Sequence, residues 1–182
     1  MKRLMMIIGA LMLLISAAYP QSGEPVKFQE LNLSGPRLGL TVAPEGSLYD
    51  ELKERGFNPV LSQFGWHFEY TIHPENTVGP DFVVEFIPMV AGVENGTVLP
   101  HINLVMGIRL PNGVEFGLGP NVLFTEDTVH TALIIGMGKS IKYGDVQIPL
   151  NFSLATSPRG NRYSFTFGYA INRPKKQGPW GR

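Results

Sequence analysis

Gln63-Phe64-Gly65-Trp66-His67-Phe68-Glu69-Tyr70-Thr71-Ile72 alternates without a fault: Phe64, Trp66, Phe68, Tyr70 and Ile72 in one phase, Gly65, His67, Glu69 and Thr71 in the other. A period of two is the side-chain spacing of an extended chain, so this stretch predicts a strand with one apolar face. The pattern recurs along the chain. Ile102, Leu104, Met106, Ile108 and Leu110 alternate with His101, Asn103, Val105, Gly107 and Arg109. Val114, Phe116, Leu118, Val122 and Phe124 alternate with Glu115, Gly117, Gly119 and Asn121. Val146 to Leu154 and Tyr163 to Ile171 behave alike, 81–91 and 129–141 are noisier, and 37–42 is a shorter candidate. Eight strands are expected.

Turn residues separate these strands at hairpin spacing, in Glu94-Asn95-Gly96, Pro111-Asn112-Gly113, Glu126-Asp127, Tyr143-Gly144-Asp145 and Pro158-Arg159-Gly160-Asn161. One turn can be predicted in detail. The polar phase is odd-numbered on both sides of Pro111-Asn112-Gly113, and paired residues must share a face, so the loop must have an odd length. A type I turn on Pro111-Asn112 with a left-handed Gly113 meets this condition and sets Arg109 opposite Glu115. The one helical passage, 47–55, has Ser47 as the expected N-cap, Leu48 and Leu52 four apart, and Gly56 as terminator. It joins strands 1 and 2 and could lie across one mouth of a closed sheet.

The ends of the chain read differently. Lys2 and Arg3, an apolar run from Leu4 to Ile15, and Ser16-Ala17-Ala18 have the three parts of a cleaved export signal, assigned to 1–18. Its removal takes two basic residues from a chain with 15 basic and 15 acidic side chains. Residues 19–36, rich in Pro, Gly, Ser and Glu, read as an exposed arm, 37–172 as the barrel, and 173–182 as a basic tail. With no cysteine, disulfides and thiol chemistry are excluded, and the balanced charge leaves no footprint for nucleic acid. No run of 18 apolar residues follows the signal, so any membrane insertion would use strands.

The polar phase decides which way the sheet faces. In a soluble sandwich or barrel that phase meets water and should be dense in Lys and Glu. Here it is mostly Gly, Ser, Thr, Ala and Asn, and the bulky phase has too much volume for the lumen of eight strands. Small residues inside and large ones outside predict an all-β, eight-stranded antiparallel up-and-down transmembrane barrel with one short helix between strands 1 and 2. Tyr70, Tyr163 and Tyr169 would stand near the lipid interfaces. Pro88, Pro100, Pro120 and Pro149 fall in or at strands and are expected to demand bulges or strand ends.

With the strand plan laid out, the chain resembles the small eight-stranded outer-membrane barrels of Gram-negative bacteria over roughly residues 37–172. The stretches Leu61-Ser62-Gln63-Phe64-Gly65-Trp66 and Gly113-Val114-Glu115-Phe116-Gly117-Leu118-Gly119-Pro120-Asn121 are similar to those of uncharacterised exported barrel-like proteins. The resemblance implies an outer-membrane location, contact with its lipid and with the barrel insertion machinery, and brings no catalytic residues. Barrels of this group usually end on an aromatic residue, whereas here 172–182 follow the last strand.

His67, Glu69, Glu85, His101, Arg109, Glu115 and Arg162 share the expected lumen face, where they could form a metal or acid/base cluster or a paired polar plug; buried charge must be paired, which favours the plug. Gly136-Met137-Gly138-Lys139-Ser140 ends like a phosphate loop, but position 133 is Leu where that motif needs Gly, and the segment reads as strand. His73, His130 and Ser157 stand near strand ends, where an outer-membrane lipid hydrolase would carry its groups, without a nucleophile motif of the strand-turn-helix kind. Asn95-Gly96-Thr97 matches a glycosylation acceptor and reads as a turn. The expected protein is a monomeric, non-enzymatic barrel with a filled lumen, no catalytic, cofactor or metal residues, and a surface ligand or protein partner of unknown kind. A periplasmic lipocalin-like carrier and a lipid-modifying enzyme are the alternatives.

Overall fold

The computed structural model describes residues 32–72, 79–96, 98–125 and 128–171. The export signal, most of the arm and the basic tail lie outside the described residues. Eight antiparallel strands, β1 (Gly35–Val42), β2 (Val60–Ile72), β3 (Asp81–Ala91), β4 (Leu99–Arg109), β5 (Val114–Phe124), β6 (Val129–Tyr143), β7 (Val146–Ser157) and β8 (Gly160–Gly168), follow one another around the sheet. The β1–β8 pairing completes the circle, making a closed up-and-down barrel. After Tyr169, β8 continues in the same register as a two-residue piece, Ala170–Ile171, against β7. The helix α1 (Ser47–Glu54) links β1 and β2.

The ladders fix the barrel's dimensions. From Gly35 one level runs through His67, Ile87, Asn103, Asn121, Ala132, Ser157 and Gly160 and returns at residue 45, ten residues further along the chain. Eight strands with that stagger tilt by about 40° and leave a lumen only wide enough for side chains. The closure is visible locally, because a Cβ on Gly160 would collide with the Glu45 carbonyl.

The alternation resolves into an apolar exterior and a polar interior. Leu38, Phe64, Trp66, Phe86, Leu104, Met106, Phe116, Leu118, Ile135, Met137, Phe152, Phe165 and Phe167 are all exposed, so that every strand contributes to an outer apolar face. Arg37, Gln63, His67, His101, Asn103, Arg109, Glu115 and Asn121 are buried in the opposite phase. The noise in β3 has a simple cause: its inward residues include Val83, Ile87 and Met89, so both of its faces are apolar.

Three expectations need correction. Pro100 does stand at a strand end, as the second residue of β4, but the other three prolines cause no bulge and no register slip. Pro88, Pro120 and Pro149 keep their pairing on one flank (Ile102, Leu133 and Ser140) and open a short gap on the other, where the missing N–H would have pointed. The arm does not remain exposed up to residue 36, since Leu33 is fully buried and β1 begins at Gly35. Ser47 is not the helix cap. Gly46 holds that position with φ 104, passing so close to Arg159 and Gly160 that a side chain would collide.

The far end of α1 closes as expected. Gly56, at φ 79, donates to Lys53 O at 3.0 Å and Phe57 donates to Leu52 O at 2.8 Å, the paired bonds of a Schellman motif. This end carries Leu52 into one mouth of the barrel, where it is buried among Ala43, Leu61, Ala91, Leu99 and Leu123, with Phe57 packed against them. The hairpin after β4 is the predicted one: Gly113 has φ 80, Leu110 donates to Val114 O at 2.7 Å, and Arg109 faces Glu115. The turn expected at Glu94-Asn95-Gly96 is a 3-10 turn (Val93–Asn95) with Gly96 as its cap.

Candidate functional site

All seven expected lumen residues do point inward, but they form two groups rather than one. The larger group surrounds Arg109. Its Nη1 and Nη2 donate to the two carboxylate oxygens of Glu69 at 2.7 and 2.5 Å, while Nε and Nη2 donate to Glu115 Oε2 at 3.0 and 2.8 Å. One guanidinium thus binds carboxylates from β2 and β5, and the fork geometry of Arg suits both. The register places them there, since Arg109 pairs with Glu115 across β4–β5, and Glu69 pairs with Glu85 across β2–β3. Thr71 donates its hydroxyl to Glu69 Oε1 at 2.8 Å. With its amide oriented to donate, Asn151 reaches Glu115 Oε1 at 3.2 Å, and this contact needs Gly138, where a Cβ would strike both side chains.

Arg37 extends this group and was missed in the sequence. Its Nη2 donates to Leu33 O at 2.6 Å and lies 3.0 Å from His67 Nδ1, and His67 Nε2 lies 3.6 Å from Glu85. Counting Arg37 raises the lumen arginines from two to three, beside Glu69, Glu85, Glu115 and the buried Asp81 at the start of β3. The signal was present: Arg37 shares an odd phase with Gly39 and Thr41, against Leu38, Leu40 and Val42.

Within this group, donor atoms of His67, Glu69 and Glu85 lie within 4.8 Å of one another, the spacing of a metal site. Their bonding argues for a different use. Both Glu69 oxygens are held by Arg109, and His67 Nδ1 faces the Arg37 guanidinium and Leu33 O. A dication here would sit beside two guanidinium groups, so the arrangement fits the plug better than a metal centre.

The second group lies toward the mouth covered by α1. Arg162 Nη2 donates to Asn121 Oδ1, and Asn121 Nδ2 donates to Asn103 Oδ1 at 2.6 Å. His101, 7% exposed, stands here as well, with Nδ1 lacking a hydrogen-bond partner. A cavity of about 100 Å³ joins the two groups, lined by Arg37, Glu85 and Glu115 from the first, by His101, Asn103, Asn121 and Arg162 from the second, and otherwise largely by apolar side chains such as Leu61, Met89 and Leu123. That volume holds a few water molecules or one small ligand.

The rim groups are placed as follows. His130 Nδ1 lies 3.3 Å from Arg159 Nη1 and its Nε2 lies 3.5 Å from Glu51 of α1, tying the helix to β6 and the β7–β8 turn. Ser157 Oγ donates to Gly160 O at 3.1 Å and accepts from Arg159 N at 3.3 Å, both within its own turn. His73 lies outside the described residues. Gly136 to Ser140 run inside β6, where no helix follows, so the geometry of a phosphate loop is absent. No known protein family, curated protein or solved structure matches the chain.

Proposed function

We propose that the protein is an exported, non-conducting β-barrel of a bacterial outer membrane, with a structural or interaction role. The observation that carries this reading is the polarity of the closed barrel. Exposed Phe, Leu, Met, Ile and Trp side chains surround it on all eight strands, an arrangement that water disfavours and hydrocarbon favours. The band also has a suitable height. Phe64 to Ile72 spans eight residue steps, which at about 3.3 Å each and a tilt of about 40° rises about 20 Å. The described chain ends at residues 32 and 171 emerge at the mouth opposite α1, and the longer α1 connection caps the other mouth.

A lipocalin-like carrier would line its cavity with the apolar phase. Here the bulky apolar phase faces outward on every strand, and the inward phase carries the Arg109–Glu69–Glu115 network and the Arg162–Asn121–Asn103 chain, which favours the membrane reading over the carrier. The paired arginines and carboxylates, together with Leu52 in one mouth, support a filled lumen. The test is fractionation of cells expressing the full chain. Recovery in the outer-membrane fraction, with detergent needed for extraction, is expected; a monomer that stays soluble without detergent would overturn the reading.

A further inference from the structure

Arg162 is the lumen cation that the plug leaves uncompensated. Arg37 and Arg109 stand among Glu69, Glu85 and Glu115, whereas no carboxylate among the described residues forms an ion pair with Arg162. Its bond is to a neutral amide oxygen, that of Asn121. The bonding then runs in one direction, from Arg162 to Asn121 to Asn103, so the Asn103 amide NH₂ is a donor at the end of the chain. His101 adds a nitrogen with no partner, although the ring is only 7% exposed. All of these groups line the same cavity of about 100 Å³. Burial of a lone cation beside surplus donors is costly unless something accepts from them.

We propose that this part of the lumen is a binding site for a small monovalent anion, of halide or simple carboxylate size. Arg162 anchors it, Asn103 donates to it, and the His101 ring completes the set from Nδ1 when a proton resides there. The size follows from the cavity, whose volume suits chloride, bromide or formate. The site does not depend on what surrounds the barrel, so it can fail or stand independently of the membrane reading.

The test uses the full chain folded in detergent micelles. Thermal unfolding is followed while sodium bromide or sodium formate replaces sodium gluconate at constant ionic strength. A saturable rise in Tm with bromide and with formate, absent in gluconate, is expected, as for any ligand that binds the folded state alone. The Arg162→Gln variant should lose that saturable rise. Crystals of the wild-type protein grown in bromide should show an anomalous peak in the lumen beside Arg162, and this measurement decides the matter even if the variant does not fold. Equal Tm values in all three salts, or a lumen holding only water while bromide scatters elsewhere, would overturn the proposal.

Discussion

Replacing Arg109 by Met removes a charge and its four hydrogen bonds to Glu69 and Glu115 while keeping most of the side-chain volume, so its effect isolates the electrostatics of the plug. The guanidinium holds both oxygens of Glu69 and one of Glu115, at 2.5 to 3.0 Å. The Glu69 side chain is 0% exposed and that of Glu115 10%, so Glu69 in particular cannot recover its lost partner from bulk water. Removing one member of a buried ion pair costs about 3–5 kcal/mol, mostly from the charge left behind. Against a total of about 5–15 kcal/mol, this is a third or more of the stability. With a urea slope of about 2 kcal/mol/M, the midpoint should fall by about 2 M. The assay is urea unfolding in micelles, followed by tryptophan fluorescence. A second variant checks the cause: adding Glu69→Gln to Arg109→Met should restore about 1–2 kcal/mol, because a lone buried amide costs less than a lone buried carboxylate. Planar-bilayer conductance should remain absent in both variants, since Leu52 and the other lumen side chains stay in place. An Arg109→Met midpoint within about 0.5 kcal/mol of wild type, or a double variant as unstable as the sum of its singles, would falsify the account.

Met106→Arg, on the exterior where Met106 is 54% exposed, should cost about 2–4 kcal/mol in lipid vesicles; a change within about 0.5 kcal/mol, as on a wet surface, would contradict lipid contact. Leu52→Ala should cost about 2–4 kcal/mol by hollowing the mouth cluster and should speed proteolysis within 43–59; unchanged cleavage there would mean that the helix is not held by Leu52. Gly119→Ala should destabilise by about 1–3 kcal/mol or prevent folding, because the new Cβ meets the Leu104 carbonyl across the gap opened by Pro120; a neutral result in the unfolding assay would refute that packing. At the rim, burial pushes the Glu94 carboxyl up, but hydrogen bonds from the Ser62 amide and hydroxyl outweigh it and hold the group below the usual range. Its small contribution to stability is therefore present above the unfolded pKa and is lost as pH falls through the folded one; an NMR titration of Glu94 that matches an unfolded peptide would contradict the contact.

How much of this was legible beforehand can be judged from particular residues. Alternation in 63–72 and 101–124 sufficed to place β2, β4 and β5, and parity alone set Arg109 opposite Glu115, because register and face are linked by a period of two. The lumen set was readable for the same reason. What could not be read was which of its members touch. His101 and Glu115 share a phase yet belong to different groups, because strand tilt and a stagger of ten residues shift each strand's level along the axis. The prolines misled for a related reason. A strand residue directs its N–H to one neighbour only, so a closed barrel can contain a proline wherever that one ladder tolerates a gap, and no local pattern shows which flank that will be.

Local periodicity thus determined the strands, their number, and the division into a bulky apolar phase and a small polar one, since those follow from backbone geometry acting on neighbouring residues. Closure decided everything that depends on distance in space. It brought Arg37 from β1 beside His67 of β2, carried Leu52 into the mouth, and left Arg162 lining the cavity with no carboxylate in ion-pair contact among the described residues. These contacts join residues from 30 positions apart (Arg37 and His67) to 71 apart (Leu52 and Leu123), and only the register of a complete circuit sets the height at which they meet.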